Sequence, residues 1–193
     1  MGRMTAEVYL ALVHSPIYNK HGDEITTTVT NLDLHDICRA GKTYDINKYF
    51  IVNHLKSQQK LVKRMRAYWV DGFGSDYNSN RKQAFLLLEV VDNLKKVRDI
   101  IKEETGKQPR LIATDARDFS GAVSYKQMRQ IIVESSHPFI IVLGTGWGLT
   151  KETIADCDYF LEPIYGRGEF NHLSVRSAAS IILDRLLAAE WWQ

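Results

Sequence analysis

The sequence predicts an α/β domain, a mostly parallel sheet with helices on both faces. Apolar runs of strand length alternate with amphipathic segments of helix length along the whole chain. Several strand segments, such as residues 139–143, are apolar at consecutive positions, as strands covered on both faces are. No internal repeat, low-complexity stretch or linker interrupts the pattern, so residues 1–193 read as one domain.

Residues 7–13 are apolar and β-compatible and form the first expected strand, which His14-Ser15-Pro16 stops. The β-branched run 25–29 leads to Asn31, a good N-cap, and residues 31–40 read as a helix with Leu34, Ile37 and Cys38 on one face. Gly41 is its expected stop. Residues 49–52 make a short buried strand. Residues 54–68 make a helix with Leu55, Leu61, Val62 and Met65 as its apolar stripe. The stretch 71–83 is rich in Gly, Ser and Asn and reads as a functional or mobile loop. Strands are expected at 85–90, 111–114, 139–143 and 159–161. Helices are expected at 92–105, 125–135, 150–155 and 173–191, with Gly106 stopping the first of these.

Composition narrows the class without naming a function. With 45% hydrophobic and 25% charged residues the chain has the balance of a globular protein and not of a disordered one. A net charge of +2 is too small to argue for nucleic acid by itself, so any basic binding surface must be local. Cys38 and Cys157 lack metal-ligand or CxxC spacing and read as buried free thiols, as in a reducing compartment. No metal site is expected. No apolar run approaches the roughly twenty residues of a membrane helix, and the opening residues lack the pattern of a secretion signal. A cytoplasmic protein without membrane association is the expectation.

Residues 139–189 carry most of the functional information. One apolar run ends in Leu143-Gly144-Thr145-Gly146-Trp147-Gly148, and a second ends in Pro163-Ile164-Tyr165-Gly166. A helix start rich in small residues follows at Leu173-Ser174-Val175-Arg176-Ser177. Glycine lets a ligand approach the backbone closely, and two such turns closing on one helix N-terminus make a backbone-lined pocket. The first turn is no P-loop, because no Gly-Lys-Ser/Thr follows. As a dinucleotide fingerprint it has a misplaced third glycine and comes after a late strand instead of the first.

These segments together resemble the SPOUT superfamily of S-adenosylmethionine-dependent RNA methyltransferases. Leu143-Gly144 with Gly148, Pro163 with Gly166, and Ser174-Val175 fall in the order and at the spacing of its ribose 2′-O branch. Gly146 stands where that branch has Glu, and His172 where it has Asn. The helix 31–39 and Thr43-Tyr44 look typical of a smaller family, found alone or joined to a tRNA guanine-N1 methyltransferase. The resemblance implies a C-terminal deep trefoil knot, an exception to the rule that chains avoid knots. It also implies S-adenosylmethionine bound in that knot, a homodimer that completes the site, and an RNA substrate, tRNA or rRNA. A methyltransferase partner protein is a further expectation.

By position the cofactor loops would be Thr114-Asp115, then Leu143, Gly144, Thr145, Gly146 and Gly148, then Ile164, Tyr165, Gly166, Leu173, Ser174, Val175 and Ser177. Arg39 and His172 are the candidate catalytic residues. Arg39 matches a ribose-branch arginine that faces the cofactor, and phosphate positioning is as plausible for it as activation of a hydroxyl. His172 can move a proton near neutral pH or serve as a hydrogen-bonded structural residue. Glu169 and Arg167 are lesser substrate-loop candidates. Lys56, Lys60, Lys63 and Arg64 form a basic helical stripe near Trp69, Phe73 and Tyr77. That combination suits RNA phosphates and unpaired bases, while a solvated helix face explains the stripe alone. Trp191-Trp192 are expected to pack on the body or on a dimer mate. A cofactor-binding module without catalysis and a Rossmann-type nucleotide enzyme are the rival readings.

Overall fold

A computed structural model describes residues 6–189. Its centre is β1 (Val8–Val13), which pairs in parallel with β4 (Lys48–Val52) on one side and β7 (Phe139–Gly144) on the other. β5 (Leu88–Val91) extends the sheet beyond β4, and β6 (Arg110–Ala113) and β8 (Tyr159–Phe160) extend it beyond β7. The order β5-β4-β1-β7-β6-β8 is parallel throughout.

Side chains of β1 alternate between two cores, because successive strand residues point to opposite faces. Leu10 and Leu12 pack with α1 (Asn31–Thr43), α2 (Lys56–Val70), α6 (Tyr125–Glu134) and α8 (Val175–Leu187). Tyr9, Ala11 and Val13 pack with α5 (Leu94–Thr105), and α7 (Lys151–Ala155) touches the same core through Ile154. The sheet is thus buried on both faces, which is why its strands read as unbroken apolar runs.

Several elements differ from expectation, each for a local reason. α1 does not stop at Gly41 but runs through it to Thr43, with Thr30 as the N-cap accepting from the Asp33 amide. Gly41 is needed for packing: a Cβ there would lie 2.6 Å from Ile46 Cδ1. In α2 only Val62 of the expected stripe is fully buried, and Leu55 and Leu61 are exposed. Gln59 takes the inward place, its amide donating to the Asn53 carbonyl at 2.9 Å and to Asp92 at 2.6 Å.

The expected loop at 71–83 holds two short helices, α3 (Phe73–Tyr77) and α4 (Ser79–Phe85). Asn78 caps α4 by accepting from the Arg81 amide, and Ala84 and Phe85 are buried. Phe85 therefore closes a helix and does not open a strand. A hairpin of β2 (Ile17–Tyr18) and β3 (Glu24–Ile25) lies where no paired strands were expected. The thiols of Cys38 and Cys157 are free. Among the described residues no helix is long and apolar enough to cross a membrane. Trp191-Trp192 lie outside the described residues.

Candidate cofactor site

The loop after β7 is shaped by backbone conformation. Gly146 has φ 58° and Gly148 φ 100°, a region that residues with side chains rarely occupy. A Cβ on Gly146 would sit 2.7 Å from Ile17 Cδ1 and 3.0 Å from the Tyr18 carbonyl oxygen. The hairpin β2–β3 therefore fills the space where a side chain at 146 would go. That explains glycine at this position. The contact is reinforced by hydrogen bonds: the Trp147 amide donates to the Tyr18 carbonyl at 3.0 Å, and the Tyr18 amide donates to the Gly148 carbonyl at 3.1 Å.

Three further segments meet this loop. Thr114 follows β6, and its hydroxyl donates to the Val142 carbonyl at 2.9 Å. Next to it Asp115 accepts two bonds from the Arg117 guanidinium, at 2.9 and 2.6 Å. After β8, Glu162 accepts from the Tyr125 amide at 2.9 Å, and Asn171 donates to the Ala116 carbonyl at 2.8 Å. Ser174 caps α8. The last wall is the segment before α1, with Thr27, Thr28 and Thr30, and the first turn of α1, with Asp33, together with His14 just after β1.

These walls enclose a cavity of about 950 Å³. Of the expected cofactor residues, Thr114, Asp115, Leu143, Gly144, Thr145, Gly146, Gly148, Ile164, Leu173, Ser174 and Val175 line it. Tyr165, Gly166 and Ser177 do not. Tyr165 is exposed and its hydroxyl donates to Asp118, Gly166 has open space beside it, and the Ser177 amide donates to Ser174 Oγ. His172 is in the wall, with its ring edge-on to Phe170 at 5.5 Å. Arg39 lies outside the cavity, in an adjoining groove of about 520 Å³ with Asp36, Tyr44, Arg176 and Ser177. Ser174 belongs to both walls.

Sequence reasoning missed His14, Thr27, Asp33 and Glu162 as cavity residues and Arg176 as the link between helices. Arg176 on α8 reaches Asp33 at 3.5 Å and Asp36 at 3.3 Å on α1. The available signal was a polar residue placed directly after an apolar strand: His14 follows β1, and Glu162 comes after β8 and Leu161.

The cavity carries three carboxylates, Asp33, Asp115 and Glu162, against one guanidinium, Arg117, which pairs with Asp115. The His14 imidazole in its wall is neutral, because burial pushes the His14 pKa down to about 4. A bare glycine turn, acidic walls and this volume suit a nucleoside bearing a positive charge, since pockets for such molecules span roughly 300–1,000 Å³. S-adenosylmethionine, a cationic sulfonium nucleoside, fits that description.

Comparison with known proteins agrees. A family model described as SAM-dependent RNA methyltransferase matches residues 7–188. An uncharacterized protein from Aquifex aeolicus is 41% identical over 181 residues, covering 94% of this chain and 88% of that one. A tRNA (guanine-N(1)-)-methyltransferase from Oleidesulfovibrio alaskensis is 36% identical over 180 residues, 93% of this chain but only 42% of its own length. In fold the chain resembles the SpoU methyltransferase AviRb from Streptomyces viridochromogenes, solved in complex with AdoMet. The TM-score is 0.58 at 16% identity, over 97% of this chain and 58% of that one. A parallel sheet with the SPOUT fold, a glycine-turned cavity after β7, and a sequence match from the first strand to the last helix lead to one conclusion: this chain belongs to the S-adenosylmethionine-dependent RNA methyltransferase family.

Proposed function

We propose that this chain methylates RNA, with S-adenosylmethionine held between the loops after β6, β7 and β8. The observation that carries the reading is the single cavity into which those loops converge, lined by eleven of the fourteen residues expected to hold the cofactor. S-adenosylmethionine supplies an electrophilic methyl group on a sulfonium. The chain's own residues must hold the RNA nucleophile in line and relieve it of a proton. Main-chain groups of the turn at 144–148 meet the flat nucleoside, and the carboxylates favour its positive charge, above all Glu162, since Asp115 and Asp33 are already paired with Arg117 and Arg176. The Arg39 guanidinium, a planar fork of donors, holds an RNA phosphate at the groove beside Ser174. His172 stands at the rim as a group able to exchange a proton.

Transfer RNA is the proposed substrate class, because a tRNA methyltransferase is among the relatives. The knot, the homodimer, a single domain over residues 1–193, a partner methyltransferase and a cytoplasmic location belong to the same reading. The RNA grip is placed on α2 and α3. Lys60, Lys63 and Arg64 are exposed on α2, and Phe73 and Tyr77 are 71% and 78% exposed, with rings stacked at 6.3 Å. Exposed stacked aromatics beside cations suit unpaired bases. Trp69 is not part of this surface, since the Arg81 guanidinium covers its ring at 4.7 Å.

Calorimetry with S-adenosylmethionine, S-adenosylhomocysteine and NAD tests the cofactor site. Saturable binding of the two sulfur compounds at about one per chain, with none of NAD, is expected. Transfer of labelled methyl to bulk tRNA then tests the activity. Binding without transfer to tRNA or rRNA would make the chain a cofactor-binding accessory.

A further inference from the structure

His14 is 1% exposed and lies in the wall of the cavity. One ring nitrogen is accounted for: Nδ1 is 2.9 Å from Thr27 Oγ1. The other, Nε2, is buried and has no protein partner among the described residues. A buried polar atom without a partner costs stability, and on a residue that lines a ligand cavity the ligand is the partner at hand.

The protonation pattern of this ring follows from the chain of hydroxyls behind it. The Thr145 hydroxyl is 3.1 Å from the Val13 carbonyl oxygen, which can only accept, so the Thr145 proton points there. Thr27 Oγ1 lies 2.7 Å from Thr145 Oγ1 and must then be the donor of that pair. Having spent its one proton, Thr27 can only accept from His14, so Nδ1 carries the hydrogen. All three contacts are satisfied only in this arrangement. It leaves Nε2 as a bare lone pair. Burial, which holds the ring neutral, acts in the same direction.

We propose that His14 Nε2 accepts a hydrogen bond from a ribose hydroxyl of the bound ligand, with Thr27 and Thr145 locking the ring in the tautomer that makes this possible. The inference rests on the methyltransferase reading, which places two ribose-bearing molecules at this site, the cofactor and the RNA. Thr145 belongs to the glycine loop and Thr27 to the segment before α1, so the hydroxyl pair joins two walls of the cavity and the relay ends on the His14 imidazole. His14 is thereby a positioning residue whose orientation is set by the loop that shapes the site.

The test uses the full chain and two readouts. Nitrogen-15 NMR of the histidine rings should show His14 protonated at Nδ1, and the Nε2 resonance should move when S-adenosylhomocysteine or tRNA is added. A His14 ring protonated at Nε2 overturns the proposal. The variant His14→Asn keeps a donor at the Nδ1 position for Thr27 and removes Nε2. If it melts within a few degrees of wild type but binds S-adenosylhomocysteine about tenfold or more weakly, the hydroxyl is the cofactor's. If cofactor affinity is kept and kcat falls about tenfold at constant KM for S-adenosylmethionine, the hydroxyl is the RNA's. If the variant matches wild type in both, the proposal fails. Should the variant not fold, the wild-type resonances decide. Failure of the wild type itself to bind S-adenosylhomocysteine would instead sink the methyltransferase reading.

Discussion

Between pH 6.5 and 4 an unfolded chain takes up a proton on His14 that the folded chain refuses, since burial lowers the folded pKa to about 4. Above about 6.5 both states are neutral and the residue has no pH effect. Stability therefore falls as pH drops through this window, by up to about 3 kcal/mol for this residue. His35, whose pKa is lowered by burial and then by Arg81, acts with the same sign. The melting temperature should decline from pH 7 to pH 4, and His14→Asn should decline less steeply over that range. A slope unchanged in the variant would mean that His14 titrates normally. At this scale sequence legibility was uneven. Gly144, Gly146 and Gly148 announce themselves because a turn demands them. His14 and Thr27 do not, because their value lies in Thr145, more than a hundred positions away.

Two-residue strands carry too little alternation to be seen, which is why β2 and β3 were not expected while β1 and β7 were. Glycine is ambiguous in the same way. Gly106 ends α5 in the left-handed region, whereas Gly41 lies within α1 to admit Ile46, and nothing local in the sequence separates the two cases. In α2 the apolar pattern pointed to Leu61, but Gln59 faces inward because Asn53 and Asp92 meet its amide. The hairpin and the glycine loop behave as one element. Gly146→Ala puts a Cβ against Ile17 and the Tyr18 carbonyl at positive φ, so a loss of about 1–3 kcal/mol is expected in denaturant titrations. S-adenosylmethionine affinity should fall with it. An alanine variant of wild-type stability would show that the hairpin yields easily.

For the whole molecule, the groove holding Arg39 is bounded by α1 and α8, and it adjoins the cavity through Ser174. In the dimeric reading a second copy completes this region, so light scattering should report about twice the chain mass of 22.2 kDa. A mass of one chain at micromolar concentration would count against it. The aromatic pair on α3 makes a separate prediction. Phe73→Ala with Tyr77→Ala should weaken tRNA binding about tenfold or more while leaving S-adenosylmethionine titrations unchanged. The sheet and its helices were legible in the sequence because each strand announces its own burial. The cavity was legible only in its C-terminal half, because the opposite wall is brought in by chain topology. The contact of Gly146 with Ile17 and Tyr18 has an evolutionary consequence. A change that placed a side chain at 146 would first require this hairpin to shorten or move. Residues 17–25 and position 146 should therefore drift as a pair, with glycine at 146 wherever a hairpin of this length is present.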